Sequence, residues 1–127
     1  MPIKNWWVDK LRIAVAVGYT TLLTIASLIS ISGIPAAHTA YADKLFHIGA
    51  YFVLSFLWMF IVHSTLKITF IALLIITYGI IIEFLQQQFT VDRSLDLYDM
   101  LANLIGVIIA VILVISLSRK KNKLEKR

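Results

Sequence analysis

The sequence predicts an all-α protein, an integral membrane bundle of four transmembrane helices with both termini cytoplasmic. Three observations predict it. The chain is 60% hydrophobic and 15% charged, with mean hydropathy +0.87, where a soluble domain carries about 25% charged residues. Four apolar stretches approach the roughly 20 residues that a bilayer-spanning helix needs. Lys and Arg gather on one side of those stretches, the bias that orients membrane proteins. With 127 residues the chain has the size of one domain, so residues 1–127 read as a single membrane domain.

The first span is expected over about 13–34, a run with no charged residue. Basic residues ahead of it and AAHTA after it imitate a signal peptide, but the run exceeds the usual apolar core of about 7–15 residues and reads as a retained helix. The others are expected over about 44–62, 68–87 and 99–117, followed by a basic cytoplasmic tail at 118–127. Their short connections favour antiparallel neighbours. In this arrangement every Lys and Arg except Lys44 and Arg93 lies on the side of the termini, which is therefore assigned to the cytoplasm of a bacterial plasma membrane. Trp6 and Trp7 would anchor a short interfacial segment before the first span.

Composition excludes several classes of function. There is no cysteine, hence no disulfide, thiolate metal site or cysteine nucleophile. The net charge of +5 comes from the two ends of the chain, and no basic face alternates with aromatics, so no nucleic-acid partner is expected.

The acids sort against the bases. Asp43, Glu83, Asp92, Asp96 and Asp99 fall at the outer ends of the spans, and only Asp9 and Glu125 fall inside. Helical spacing puts Asp43, His47 and Tyr51 on one face of the second span. It puts Gly79, Glu83 and Gln86 or Gln87 on one face of the third, and Asp96, Asp99, Asn103, Gly106 and Ala110 on one face of the fourth. Three polar stripes on three helices can meet in one outward-facing pocket. Plainer roles compete. Asp43 and Asp96 suit N-caps of the second and fourth spans, with Asp99 completing a box-like pattern, and Gly106 suits packing. Glu83 resists this treatment, because a carboxylate near a helix C-terminus is disfavoured and needs a partner: Arg93, Lys44 or His47. A buried Glu–Arg pair serves structure as readily as function. His47 beside a carboxylate suits a general base. No HExxH-type spacing is present, so neither a metal nor another cofactor is predicted. Lys44 and Arg93, near two helix N-termini, are suited to an anion such as a lipid headgroup.

These residues resemble the VanZ-like family of small bacterial membrane proteins. The resemblance rests on Asp43, Lys44, His47 and Tyr51, then Glu83 and Gln86, then Arg93, Asp99, Asn103 and Gly106, in order and at the family's spacings. Ala110 stands where family members often have a second glycine. The resemblance covers about residues 13–117 and implies four membrane helices and a role in the cell envelope, including lowered susceptibility to teicoplanin-type glycopeptides.

Three classes of function were compared. In the first, the outer pocket binds a lipid, a lipid-linked cell-wall precursor or a glycopeptide without catalysis. In the second, the chain is an intramembrane enzyme acting on a lipid-linked substrate, with His47 and Glu83 or Asp99 as acid and base. A transporter ranks last, because the inner halves of the spans are almost wholly apolar. The ligand-binding set is Asp43, Lys44, His47, Tyr51, Glu83, Gln86, Arg93, Asp99 and Asn103. The sequence leaves the oligomeric state open.

Overall fold

The computed structural model describes residues 6–29, 40–62, 64–89 and 95–125. They form four helices: α1 (Trp6–Leu28), α2 (Ala40–Met59), α3 (Thr65–Phe89) and α4 (Leu97–Glu125). The described elements are all helical, as the composition requires of a chain whose backbone groups must be satisfied within lipid.

Three helices, α1, α3 and α4, are long and apolar enough to cross a membrane. The exception is α2, whose 20 residues include Asp43, Lys44 and His47. Lipid-facing surface is abundant elsewhere: Leu22 and Ile25 on α1, Phe70 and Leu73 on α3, and Ile108 and Ile112 on α4 are all exposed. Hydroxyls that lie on these helices are satisfied locally. Thr20, Thr21, Thr24, Thr69, Thr77, Ser116 and Ser118 each donate to the carbonyl four residues earlier, at 2.7–3.1 Å.

The helix ends differ from the expected ones. Trp6 and Trp7 are the first residues of α1 itself, both exposed, and Lys10 lies 3.5 Å from the centre of the Trp6 ring. They therefore do not belong to a separate segment. The expected end of the first span, 30–34, lies outside the described residues. Helix α2 begins at Ala40, which puts Asp43 in its first turn rather than at the N-cap. Residues 118–125, expected as a tail, continue α4. Lys, Arg, Leu and Glu are good helix formers, basic residues suit a helix C-terminus, and Lys121 pairs with Glu125 at 3.9 Å.

Hydrogen bonds between helices fix their relative directions. From α1, Tyr19 Oη donates to the Ala50 carbonyl (3.1 Å), and Thr20 Oγ1 accepts from Trp58 Nε1 (3.0 Å). Arg12 lies 5.1 Å from the Phe60 ring, so α1 and α2 run antiparallel. Thr24 Oγ1 and Tyr78 Oη are 2.9 Å apart, and Gln86 Nε2 donates to the Ser27 carbonyl (3.0 Å), so α1 and α3 run parallel. Helices α2 and α4 are parallel too. The N-termini of α2 and α4 thus lie at the same end as the C-termini of α1 and α3. This end carries Asp43, Glu83, Asp96 and Asp99, and the opposite end carries Lys10, Arg12, Lys67, Arg119, Lys120, Lys121 and Lys123.

The α2–α4 seam is the tightest. A Cβ at Gly106 would stand 2.4 Å from the Ile48 carbonyl oxygen and 2.8 Å from the Phe52 nitrogen, both backbone atoms that cannot rotate away. Ala110, one turn on, is fully buried. Small residues let two backbones approach closely in this way. Gly79 does the same for a side chain: a Cβ there would lie 2.9 Å from Tyr51 Cε1. Gly106→Ala is expected to destabilise the protein by about 1–3 kcal/mol, the usual cost of overpacking. Ala110→Gly should leave the seam closed. Thermal unfolding in detergent reads both, and an unchanged midpoint for Gly106→Ala would show that the seam opens without cost.

Candidate functional site

The polar end is built where α2 and α4 begin. Asp96 caps α4: its Oδ1 accepts from the Tyr98 backbone N–H at 2.8 Å, and its carbonyl accepts from Asp99 N at 3.1 Å. One helical turn into α4, Asp99 is buried, and one further turn brings Asn103, also buried. The facing stripe of α2 is Asp43, His47 and Tyr51, with Tyr51 buried and the other two half-buried. The closure at Gly106 presses these stripes together.

Lys44 bridges the two helices. Its Nζ donates to Asp96 Oδ2 at 2.6 Å and also to Asp99 Oδ1. The Lys44 ammonium therefore meets two carboxylates and does not stand as an isolated cation for an anion. This hydrogen bond is the main reason why the Asp96 carboxyl titrates below its ordinary range; burial opposes it, and the Tyr98 N–H assists it. Asp96 thus serves both as the expected cap and as an ion-pair partner that sequence spacing did not reveal.

His47 is held from two sides. Its Nδ1 is 2.9 Å from Asn103 Oδ1, and its Nε2 is 3.8 Å from Asp99 Oδ2. With the Asn103 amide in this orientation its oxygen accepts from a protonated Nδ1, and Nε2 faces the Asp99 carboxylate. Asp43, His47 and Asp99 each offer one ligand atom, and these atoms lie within 4.8 Å of one another. Among the described residues, these three are the group that could hold a metal ion.

Helix α3 supplies the third wall. Gly79, Glu83 and Gln86 are buried on it, whereas Gln87 is exposed, so Gln86 belongs to the stripe. The Tyr51 ring passes over Gly79 and lies 6.2 Å, centre to centre, from Tyr78. Of the partners expected for Glu83, Lys44 binds Asp96 and Asp99, and His47 lies against Asn103 and Asp99. Arg93 lies outside the described residues, as do His38, His63 and Asp92.

Sequence reasoning missed an apolar groove of about 380 Å³ between α3 and α4, walled by Ile76, Ile80, Leu101 and Leu104. Tyr51 and Asn103 also line it, so the groove borders the polar stripes. Two buried polar atoms there, Tyr51 Oη and Asn103 Nδ2, have no hydrogen-bond partner among the described residues. Leaving such groups unsatisfied costs about 1–3 kcal/mol each. The wall residues resemble any lipid-facing Ile or Leu in sequence, so no local signal marks them.

Long apolar helices enclosing a buried polar cluster at one end define the class: a small helical membrane protein with an end-on polar site. The family model for VanZ/LLP1 matches residues 6–118, and the chain belongs to that family. Comparisons with curated proteins and with solved structures returned no match.

The ion-pair geometry gives a pH prediction. A carboxyl whose pKa is depressed by folding stabilises the fold above its unfolded-state pKa, and that contribution vanishes as pH falls through the folded-state pKa. The Asp96 contribution should persist from neutral pH down to the ordinary carboxylate range and be lost below it. Acid unfolding in detergent, followed by circular dichroism, should show a smaller acid-side loss in Asp96→Asn than in the wild type. Identical acid profiles would remove the Lys44 pair from the energetics of this end.

Proposed function

We propose that the chain is a four-span integral protein of the bacterial plasma membrane, a single membrane domain with cytoplasmic termini. On this reading it holds a lipid-linked envelope component at its outward-facing end. The lipid chain lies in the α3–α4 groove, and the polar head meets Asp43, Lys44, His47, Asp99 and Asn103. One observation carries the reading: Tyr51 and Asn103 line the apolar groove and also belong to the polar stripes, and each holds a buried polar atom with no partner among the described residues. A ligand that is apolar at one end and rich in oxygen at the other satisfies both. Three further features support the orientation and the envelope role: the segregation of basic from acidic residues between the two ends, the three apolar helices, and membership of the VanZ/LLP1 family. Binding or shielding a lipid-linked cell-wall precursor would lower susceptibility to teicoplanin-type glycopeptides.

The pinned imidazole favours a second reading, an intramembrane enzyme with His47 and Asp99 as the acid–base pair. Glu83 joins the candidates through its buried place on α3. With Lys44 engaged by Asp96 and Asp99, Arg93 is the cation left of the pair expected to position the headgroup.

The readings separate in one experiment. A teicoplanin-sensitive host expresses the wild type, Leu104→Trp, which fills the groove, or His47→Gln, all matched for membrane level. Lipid retained by each purified protein is measured by mass spectrometry. The binding reading expects Leu104→Trp to lose retained lipid and protection together, with a graded effect for His47→Gln. The enzymatic reading expects His47→Gln to keep its lipid while turnover falls about 10²- to 10⁴-fold. A wild type that retains no lipid and gives no protection overturns both.

A further inference from the structure

We propose that Asp43, His47 and Asp99 form a binding site for one divalent transition-metal ion, of the Mn²⁺ to Zn²⁺ series. The site stands on the geometry of this cluster and does not require that a lipid be bound.

The first support is the donor set. One imidazole and two carboxylates converge from two helices, with their ligand atoms within 4.8 Å of one another. Ligands about 2.1 Å from a common ion stand roughly 3.0–3.5 Å apart. His47 Nε2 and Asp99 Oδ2 are 3.8 Å apart, so only a small contraction is needed. Asp43 lies in the first turn of α2, one turn before His47, and is half-buried. It can close on an ion by rotating its side chain. Mixed nitrogen and oxygen donors suit this series of metals better than Mg²⁺ or Ca²⁺, which favour oxygen alone.

The second support is independent of the acids. Metal-bound histidines almost always donate their other ring N–H to an oxygen, which fixes the tautomer and aims the free nitrogen. Asn103 Oδ1 plays this part, 2.9 Å from His47 Nδ1. Nε2 then faces the Asp99 carboxylate at 3.8 Å, so an ion between them would meet a donor on either side. Asn103 is only 4% exposed, and its Nδ2 has no partner among the described residues. That N–H is a donor left for a ligand that enters beside the histidine.

The third support is the sharing of the Asp99 carboxylate. Lys44 binds Asp99 through Oδ1, while Oδ2 faces His47. One carboxylate can therefore serve the ammonium and the ion together.

The test uses full-length, untagged protein in detergent, stripped with a chelator and then titrated with Mn²⁺ or Zn²⁺. Bound Mn²⁺ is read by electron paramagnetic resonance, and bound Zn²⁺ by elemental analysis after gel filtration. The expected result is one ion per chain. Affinity should fall at least about tenfold in Asp43→Asn and His47→Gln, and about 10- to 100-fold in Asn103→Ala, which removes the orienting oxygen. Asp9→Asn, at the opposite end, should bind as the wild type does. Asp43→Asn is the decisive variant, because Asp43 lies outside the Lys44 ion pair, and its helix content without metal should match the wild type. Failure to bind either ion at millimolar concentration overturns the proposal, as does wild-type binding by Asp43→Asn and His47→Gln. Ion binding without lipid retention would sink the lipid reading and leave this one standing.

Discussion

The close approach of α2 to α4 at Gly106 is the constraint on which the rest of the molecule depends. The helices meet backbone to backbone there, with no room for a Cβ, and the parallel run from this point sets every pairing toward the polar end. Lys44 reaches Asp96 and Asp99, and His47 reaches Asn103, because the seam holds the two stripes at one height. A wider seam would leave a charged lysine and a charged aspartate to face lipid separately, each at considerable cost.

That arrangement also explains how a helix as polar as α2 is accommodated. Its charges point at α4. Its other sides are tied down by Tyr19 on the Ala50 carbonyl and by Trp58 on Thr20. Helices α1, α3 and α4 supply the outward apolar surface. The polar residues are thus enclosed by the fold, in keeping with the rule that ionisable groups inside membrane proteins face other protein groups or a cavity.

Much of this was legible from helical periodicity. The stripes Asp43–His47–Tyr51 and Asp99–Asn103–Gly106–Ala110 emerge as read, because residues three and four apart share a face whatever the tertiary context. What lay beyond reach has specific causes. Spacing could not choose between Gln86 and Gln87, a choice made by packing against α1 through the Ser27 carbonyl. Lys44 is off the stripe by one residue, and its long stem reaches partners 52 and 55 positions away. Polarity is a poor stopping signal: α1 starts at Trp6 and α4 runs on to Glu125, because Lys and Arg extend a helix readily. The groove is made of Ile and Leu and has no signature at all. The Asp43–His47 pair has i,i+4 spacing, but the residue that would complete a donor set comes from α4.

The bridge between Lys44 and Asp96 and Asp99 has a consequence for biogenesis. During synthesis α2 leaves the ribosome well before α4, so Lys44 is made while both of its carboxylate partners are still to come. The helix is also the one of the four that falls short of a membrane span by length and composition. The early α1–α2 hairpin, latched by Tyr19 and Trp58, gives it a provisional place. Final burial of the lysine waits for the last helix. Truncation before α4 therefore leaves Lys44 without the Asp96 and Asp99 carboxylates as well as removing a segment.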